Sequence, residues 1–506
     1  MPGESVLEAA ARSVGNYRIT MTAAQRVTLE YGDGLVEVEV PEGAVVVEPA
    51  TLYQEPAPPE DPVLLTRRAL AQPLGSPPLR DLVGPGSTVL IAFPDRVKGG
   101  AHPTAHRRVT LPLLLEELES AGVRRGDITL LCANGLHRKN TRQEMEGYLG
   151  RELVQRFPPS RLLNHDAEDP EGMVQLGETD EGDAVEVNRR VLEADLVVVL
   201  GHTLGNPYGG YSGGYKMPCT GLTGWRSIRC HHTPATLFRN DFVPISPRSH
   251  FRSQLRRIGE FIERHMKQPF FAVDAVLNGR NEQLAVFAGR LGEVEQASWP
   301  LARQRTEVTV PGEPADVLVL GIPRNFHYGP GMGSNPLLFK QAIAASLARA
   351  YGALQPYPVV VAFCVCDGWF NDEWFPPYRE VYELLQRCCG ADELARYEDE
   401  VCTRAEWVRK YRHAYGYHPF HAFSMAYLGA LADRYARAVY LVGAREPSYA
   451  RGMGCIPVPT FEAALEHARR HVGSHPRLLV IPRLSRVQVH LFAEGAQAKV
   501  TEVAAR

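Results

Sequence analysis

A lysine and a histidine pair follow a glycine-rich loop in Tyr208–His232, which reads YGGYSGGYKMPCTGLTGWRSIRCHH. The preceding apolar run, ADLVVVLGHT (194–203), predicts a buried strand that ends in this loop. Lys216 stands at the loop's exit, and His231–His232 follow it. The loop contains four glycines, which let a backbone approach a bound group closely: Gly209, Gly210, Gly213 and Gly214. Together these features indicate a cofactor held covalently or through a metal.

The phosphate-binding P-loop is the first competing interpretation, and its details do not match. That motif places Gly-Lys-Ser/Thr in direct succession, so that the lysine and the hydroxyl reach phosphate and magnesium. Here Tyr215 separates the last glycine from Lys216, and Met217 takes the place of the hydroxyl residue. The spacing GxGxxG of a dinucleotide site is also absent. A tight turn with a solvated lysine remains the open alternative.

Two other predicted strands end in residues that could do chemistry. His137 lies in NGLHRK (134–139), after the strand at 127–135, and an imidazole there could be a general base. Asp95 and Lys98 follow the strand at 87–95, where they could hold a carboxylate or a ribose. The alternatives are a histidine bonded to a backbone carbonyl at a helix start, and a solvated charged turn. Ligands of parallel sheets bind outside the carboxyl ends of the strands, which favours a shared site.

The bulk composition is that of an ordinary globular protein. The chain has 506 residues, 44% hydrophobic and 22% charged, which is enough for two or three domains. A net charge of -3 gives no reason to expect a nucleic-acid partner. We expect a cytoplasmic protein, because no signal pattern or membrane-spanning run is evident. The nine cysteines form no CxxC pair, which favours reduced thiols over a structural zinc site.

Predicted strands alternate with predicted helices through most of the chain, which is typical of βαβ units and parallel sheets. Residues 27–49 predict a β-hairpin around a Gly-Asp-Gly turn. A polar stretch around 300–315 predicts a linker, after which the α/β pattern restarts. We therefore predict an α/β protein of two domains, residues 1–305 and 306–506, each with a largely parallel sheet flanked by helices.

Together these segments resemble the nickel-pincer lactate racemase family. The most specific motifs are NGLHR (134–138) and YSGGYK (211–216), with His232 sixteen residues after the lysine. The resemblance spans roughly residues 28–490 and includes LEYGDGLVEVEVPEGAVVVEP, GSPPLRDLVGPGSTVLI and AVYLVGAREPSYARGMGCIPVPTFEAALEHA. It implies an active site in a cleft between the two domains.

The resemblance also implies a cofactor, a pyridinium-derived mononucleotide that binds nickel through one carbon and two sulfurs. Lys216 would carry it through a thioamide, and His232 would be the fourth nickel ligand. His231 would orient its neighbour. Further contacts to the cofactor would come from Asp95, Arg138, Ser212, Gly213 and Gly214.

The implied reaction is the racemisation of a 2-hydroxy acid by hydride transfer to the cofactor and back, through a 2-keto intermediate. His137 matches one of the family's two proton-transfer histidines. Lys98 replaces the arginine that grips the substrate carboxylate, and lysine offers a point charge rather than a fork. Lys340 is the best match for a pocket lysine of the second domain, and Phe420 or Trp369 for the aromatic that covers the cofactor.

The second catalytic histidine of the family is missing. Its position, ten residues before the lysine, is occupied by Asn206, which cannot take a proton at neutral pH. His202, Tyr208 and Tyr211 are nearby candidates for the role, and an epimerase with a single base is another possibility.

These changes lie at substrate contacts and spare the cofactor contacts. We therefore expect a racemase or epimerase of a larger 2-hydroxy acid than lactate, such as a sugar acid or an aromatic one. The expected partners are this small molecule and the enzymes that synthesise the cofactor, with no membrane partner. The alternatives are a lyase or other acid/base enzyme on the same scaffold, and a non-catalytic nucleotide or metal binder.

Overall fold

The computed structural model describes residues 25–48, 56–243 and 245–494. The start of the chain, in which we saw no signal pattern, and the end of the predicted hairpin at Pro49 lie outside these residues. In the described part, no helix is long and apolar enough to cross a membrane. All nine cysteines are described, and none forms a disulfide.

The strands, in chain order, are β1 Gln25–Gly32, β2 Gly34–Val40, β3 Val45–Val46, β4 Val89–Phe93, β5 Ile128–Cys132, β6 Leu162–Asn164, β7 Met173–Glu178, β8 Ala184–Asn188, β9 Leu196–Thr203, β10 Gly205–Asn206, β11 Gly210–Tyr211, β12 Phe271–Leu277, β13 Gln283–Arg290, β14 Glu307–Val310, β15 Ala315–Pro323, β16 Leu354–Phe363, β17 Ala438–Val442, β18 Ile456–Val458, β19 Leu478–Ile481 and β20 His490–Ala493.

The helices are α1 Pro62–Ala71, α2 Leu79–Leu82, α3 His106–Ser120, α4 Arg142–Leu149, α5 Arg151–Gln155, α6 Arg189–Glu193, α7 Lys216–Gly221, α8 Trp225–His231, α9 Pro234–Leu237, α10 His250–Glu263, α11 Leu291–Thr306, α12 Pro336–Ala350, α13 Tyr378–Leu385, α14 Glu398–Cys402, α15 Ala405–His413, α16 Pro419–Gly429, α17 Leu431–Tyr435, α18 Pro447–Gly452 and α19 Phe461–Val472.

The first large sheet has the order β13-β12-β9-β4-β5-β6, and all its pairs are parallel except β12–β13. Every residue of β4, β5 and β9 is buried, because both faces of the sheet are covered. Successive residues point to opposite faces, so Leu90 and Ala92 join one apolar cluster while Val89, Ile91 and Phe93 join another.

The ends of three strands meet at one edge of this sheet. Phe93 pairs with Cys132, and Ala92 pairs with Val199, so β4 and β5 end side by side while β9 runs past them. The loops that follow these strands carry Lys98, His137 and the glycine loop. The parallel register therefore brings the three predicted clusters together.

The second large sheet has the order β18-β17-β16-β15-β1-β2, with β19 paired to β15 and β3 paired to β19. The core ladders β15–β16, β16–β17 and β15–β19 are parallel. The predicted hairpin is present as β1 and β2, which pair from Gln25–Val40 to Tyr31–Gly34. It belongs to this sheet, because Tyr31 of β1 pairs with Ile322 of β15.

The α/β class with largely parallel sheets and flanking helices is confirmed. The linker expected around 300–315 is wrong, because α11 continues to Thr306 and β14 then pairs with β20. The helix forms despite Pro300 because it buries Val294, Leu301 and Ala302 at helical spacing. The division of the chain at residue 305 stays a prediction.

Because both faces of the second sheet are buried, shortening an apolar side chain in its central strand β15 should destabilise the protein. We expect Leu318→Ala, in β15, to lower the free energy of unfolding by about 2–5 kcal/mol, because Leu318 is fully buried and the lost side chain leaves a cavity. Leu35→Ala on β2, where the side chain is 60% exposed, should change it by no more than about 0.5 kcal/mol. Urea unfolding followed by circular dichroism measures both, and equal effects would contradict this packing.

Candidate active site

A cavity of about 610 Å³ opens where the three strand-end loops of the first sheet meet elements of the second half of the chain. Nine predicted or candidate residues from the first half line it: Lys98, His137, His202, Asn206, Tyr208, Ser212, Gly213, Lys216 and His232. The second half contributes Phe326, His327, Tyr328, Gln341, Arg349 and His421.

The glycine loop owes its shape to two buried carboxylates behind it. Gly213 and Gly214 have φ of +76° and +57°, where a side chain is strained. A Cβ on Gly214 would overlap the carboxylate of Glu295, and one on Gly213 would lie 2.7 Å from Asp274 Oδ2. Gly214 N donates to Asp274 Oδ2 at 2.8 Å, and Tyr215 N donates to Glu295 Oε2 at 3.0 Å. The glycines of this loop are therefore required by its close contact with the side chains of Asp274 and Glu295, in addition to any group bound in the cavity.

Ser212 fastens the loop to the end of β9. Its Oγ donates to His202 O at 2.8 Å and accepts from Leu204 N at 3.1 Å. Ser212 and Gly213 line the cavity, whereas Gly214 faces the carboxylates behind the loop. Of the three predicted cofactor contacts in this loop, the structure therefore brings two to the cavity.

The amine of Lys216 is buried without a carboxylate at hydrogen-bond distance. Nζ donates to Asn206 Oδ1 at 3.0 Å and to Tyr208 O at 3.2 Å, both neutral acceptors. Burial, followed by the positive charges of Arg252, Lys98 and Arg349, holds the pKa of Lys216 well below its usual value. The amine is therefore neutral over a range in which ordinary lysines are charged, and a neutral amine is a nucleophile.

His232 shares two aromatic neighbours with Lys216. Its ring lies 4.8 Å from the Tyr208 ring and 5.6 Å from the Phe251 ring, centroid to centroid, and Lys216 Nζ lies 5.0 and 5.3 Å from the same two centroids. Burial, His231 and Lys216 lower the pKa of His232 well below its usual value. A neutral imidazole keeps a lone pair for a metal ion.

His231 and His232 hold each other in defined tautomers. Their Nδ1 atoms are 2.7 Å apart, so one of them carries a proton that the other accepts. This agrees with the expectation that His231 orients its neighbour. Within the described ranges, no three His, Cys, Asp or Glu side chains form a group that could hold a metal ion.

His137 is paired with Asp95. Nδ1 of His137 and Oδ2 of Asp95 are 2.8 Å apart, and Asp95 is only 2% exposed. Burial would raise the pKa of Asp95, but His137, Lys98 and Arg107 outweigh it and lower the pKa to about 2. Asp95 is thus an ionised partner that orients the imidazole, and Nε2 of His137 is left for a ligand. The expected contact of Asp95 with a cofactor is corrected accordingly, because Asp95 does not line the cavity.

The candidates for a second base differ in their positions relative to the cavity. Asn206 lines the cavity, but its Oδ1 accepts from Lys216 Nζ and from Tyr208 N, so it positions the lysine. His202 and Tyr208 also line the cavity. Burial is the main cause that lowers the pKa of His202 to about 3 and raises the pKa of Tyr208 well above its usual value. Tyr211 does not line the cavity and packs against Trp299 instead.

Two charged residues predicted for the site lie outside the cavity. Nζ of Lys340 donates to Asp433 Oδ1 at 2.6 Å and to Met453 O at 2.8 Å, on the far side of α12. Arg138 pairs with Glu144, and its guanidinium lies 3.9 Å from the centroid of the Trp374 ring. Both expectations are corrected, because each side chain is held by an acidic partner away from the cavity.

The predicted covering aromatics are elsewhere too. Phe420 is buried against Trp225 and Phe423, and Trp369 is 46% exposed over Gly331. Phe326 and Tyr328 supply aromatic surface to the cavity instead. Both lie in the loop between β15 and α12. The aromatic residues of this loop were the sequence signal that could have identified them as candidates for the cavity wall.

Sequence reasoning missed several polar residues of the cavity, among them Gln341, Arg349 and His421. Gln341 follows Lys340 in α12, and one residue of helix turns a side chain by about 100°, enough to exchange the two between faces. Arg349 donates to Gly205 O at 2.8 Å and so joins α12 to the loop after β9. His421 lies in α16, a helix buried on all sides that gave no amphipathic signal.

A family model described as the lactate racemase N-terminal domain matches residues 31–241, which include β4, β5, β9, the glycine loop and His232. Residues 31–241 are therefore similar to the N-terminal domain of lactate racemases. The lactate racemase of Thermoanaerobacterium thermosaccharolyticum is 31% identical over 168 residues, and that of Lactiplantibacillus plantarum is 27% identical over 166. Each alignment covers 33% of this chain and 37% of the relative, so the chain matches little more than a third of their length.

Two solved structures share the fold. The lactate racemase apoprotein from T. thermosaccharolyticum aligns with a TM-score of 0.66 and 20% identity, covering 92% of this chain and all of that one. A protein from Thermotoga maritima aligns with a TM-score of 0.56 and 15% identity, covering 87% of this chain and all of that one. The fold similarity therefore extends well beyond the segment aligned in sequence.

The neutral amine of Lys216 should show in its reactivity. We expect cyanate at pH 7 to carbamoylate Lys216 faster than the 52% exposed Lys267, because only the uncharged amine reacts. Asn206→Asp should slow the reaction, since a carboxylate against Nζ stabilises the charged form and raises the lysine pKa. Peptide mass spectrometry over a time course measures both rates, and slower modification of Lys216 than of Lys267 in the unmutated protein would contradict a neutral amine.

The carboxylate behind the glycine loop should give a pH-dependent stability. Burial raises the pKa of Asp274 to about 7, from an unfolded value near 3.8. Between these values the folded state binds the extra proton, so the stability from Asp274 is complete below pH 3.8 and falls as pH rises to 7. The full effect is on the order of 4 kcal/mol, at about 1.4 kcal/mol per pKa unit.

Asp274→Asn should remove this part of the pH dependence and stabilise the protein at pH 8, as measured by urea unfolding from pH 4 to 8. The matched change Asp180→Asn, at an exposed position, should leave it unaltered. A loss of stability between pH 4 and 7 as steep in Asp274→Asn as in the unmutated protein would show that Asp274 is ionised throughout.

Proposed function

We propose that this protein is a racemase or epimerase of a 2-hydroxy acid that uses a nickel-pincer nucleotide tethered to Lys216. One observation carries the proposal: the amine of Lys216 is buried with two neutral acceptors, and it shares a cavity with His232 and with the His137–Asp95 pair. The match of residues 31–241 to the lactate racemase N-terminal domain and the names of the two curated relatives support the same activity.

The residues at the cavity fit such a cofactor. Lys216 offers an uncharged amine for an amide-type bond, and His232 offers a neutral imidazole beside the same two aromatic rings. Imidazole is a good ligand for nickel, and sulfur donors of the nucleotide would complete its coordination. When bound, the cofactor would supply a site that accepts and returns a hydride.

The protein's own part is to position the substrate and move its proton. His137 can take the hydroxyl proton at Nε2, and the buried carboxylate of Asp95 can stabilise the imidazolium that results. Lys98 lines the same cavity, and its ammonium can attract the substrate carboxylate. Tyr208, Phe326 and Tyr328 line the walls with apolar surface and restrict the access of water.

The substrate is proposed to be larger than lactate. In addition to Lys98, the cavity is lined by Gln341 and Gln488, and the side-chain Oε1 of each is buried without a hydrogen-bond partner among the described residues. Extra polar groups on a substrate would satisfy them, because a binding site loses affinity when its buried polar groups stay unpaired. This supports a polyhydroxy acid over an aromatic one.

The direct test is to produce the protein together with cofactor-synthesis enzymes. We expect about one nickel per chain by elemental analysis and an added mass on the peptide that contains Lys216. The protein should interconvert the enantiomers or epimers of one acid among lactate, malate, phenyllactate and gluconate, and deuterium on the α-carbon should stay in the product because the hydrogen moves as hydride.

Lys216→Ala should lose the added mass and the activity, while the matched change Lys267→Ala at the surface should keep both. An unmodified lysine without nickel in the co-produced protein would contradict the cofactor. Exchange of the α-deuteron with solvent would contradict hydride transfer and favour a lyase or another acid/base enzyme.

A further inference from the structure

A two-base racemase of the proposed kind needs a second proton-transfer group, and Asn206 cannot supply one. The cavity holds three histidines besides His137 and His232, at positions 202, 327 and 421. They differ in how each ring is held and in which charges surround it. These differences single out His421.

One nitrogen of the His421 ring is fixed and the other is unpaired. Nδ1 lies 2.5 Å from the hydroxyl of Tyr378, and both side chains are buried. Nε2 is buried and has no hydrogen-bond partner among the described residues. A buried nitrogen without a hydrogen bond lowers the stability of the protein unless a ligand bonds to it. The unpaired Nε2 therefore indicates a ligand that bonds to His421 in the cavity.

The His421 ring also lies beside the first base. Its centroid is 5.5 Å from that of His137, with the two planes at 83°. Both rings contact Tyr328, at 5.3 Å for His137 and 4.9 Å for His421. The two imidazoles are therefore close neighbours that meet edge to face without stacking, and each has its Nδ1 bonded to another side chain.

The spacing of the two rings is fixed through the backbone. His418 N, at the start of α16, donates to Leu136 O at 2.9 Å. Tyr411 OH donates to Gly135 O at 2.8 Å. The loop that carries His137 is thus bonded to the elements that carry His421, although they lie far apart in the sequence.

The other two histidines suit the role less well. His202 has Lys98 and Arg107 among the groups that disfavour its protonated form. His327 is exposed and lies in the loop before α12 at a φ of +25°. The groups that disfavour the protonated form of His421 are its burial and the histidines 137, 418 and 327, with no lysine or arginine among them, and Asp95 favours it.

We propose that His421 is the second proton-transfer residue and replaces the base missing at Asn206. The inference rests on the proposed function and assigns one residue within it. For the enantiomer whose hydroxyl faces His421, Nε2 accepts the hydroxyl proton, the α-hydrogen leaves with its electron pair to the hydride acceptor, and a C=O bond forms. After the hydrogen returns with its electron pair to the other face of the carbonyl carbon, a new C–H bond forms and the oxygen takes a proton from the His137 imidazolium.

After product release, proton exchange with solvent resets both histidines, and the opposite enantiomer, which binds when His137 is neutral, follows the same steps in reverse. The Tyr378 hydroxyl suits both forms of His421, because it can accept from Nδ1–H or donate to Nδ1. Tyr378 is accordingly a positioning residue, and Tyr378→Phe should slow the reaction less than His421→Asn.

The test separates the two directions of the reaction. Co-produced His421→Asn is mixed with each pure enantiomer of the acid that the unmutated protein interconverts, and the 2-keto acid is quantified after a single turnover. We expect its formation to fall by about 10²–10⁴-fold for one enantiomer and to change little for the other. His413→Asn, at the exposed end of α15, is the matched control and should behave like the unmutated protein.

If His421→Asn changed the rate of 2-keto acid formation equally for both enantiomers, or changed neither rate, the assignment of His421 would be overturned. Thermal unfolding of the variant should match that of the unmutated protein, which excludes a general loss of structure. If the unmutated protein carries nickel and the modified lysine but interconverts none of the acids, the proposed function fails instead.

A second readout needs no cofactor. Nitrogen-15 NMR of histidine-labelled, cofactor-free protein shows the protonation of each ring, and the signal missing from His421→Asn identifies His421. We expect a neutral ring with one protonated nitrogen at pH 7. A doubly protonated ring would overturn the assignment, because it could accept no proton.

Discussion

The candidate site depends on the parallel register of three strands. Because Phe93 pairs with Cys132 and Ala92 pairs with Val199, three chain segments that are far apart in sequence emerge at one edge of one sheet. Strands covered on both faces cannot slip by one residue without turning apolar side chains to the wrong cluster. The positions of Lys98, His137 and Lys216 are therefore set by the packing of the sheet, and the chemistry uses a geometry that the core already stabilises.

Buried charges around the cavity are balanced in two different ways. The carboxylate of Asp95 is compensated by His137, Lys98 and Arg107, so it stays ionised and can orient an imidazole. The amine of Lys216 has no acidic partner at hydrogen-bond distance and is neutral instead. Burial among positive groups thus keeps Asp95 ionised, where it holds His137. Burial without an acidic partner keeps Lys216 uncharged, where a covalent bond to the cofactor is proposed.

The sequence predicted the elements with continuous apolar runs best. The strand expected in ADLVVVLGHT (194–203) is β9, Leu196–Thr203, since a run buried on both faces is visible in the sequence without its partner strands. Local motifs also located Lys216, His232 and His137 at the cavity. By contrast, the end of α11 was taken for part of a linker around 300–315, because the polar residues there hid the buried positions of the helix.

Residues brought in by the second half of the chain were predicted least well. Lys340 was chosen where its neighbour Gln341 faces the cavity, because a resemblance in a loop of changed length does not fix the rotation of the helix after it. His421 carries no local signal, as its unpaired nitrogen and its distance from His137 exist only once α16 has packed. The pairing of Asp95 with His137 likewise required the register of two strands.

The pairing of β1 with β15 has a consequence for how the protein is made. The hairpin β1–β2 is synthesised well before its partner strand β15, which appears only after all the strands of the first sheet have left the ribosome. A lone hairpin is marginally stable in water and presents open strand edges. The hairpin β1–β2 therefore stays unpaired until β15 has been synthesised. A nascent chain interrupted before β15 would expose the unpaired edge of β1, which promotes aggregation.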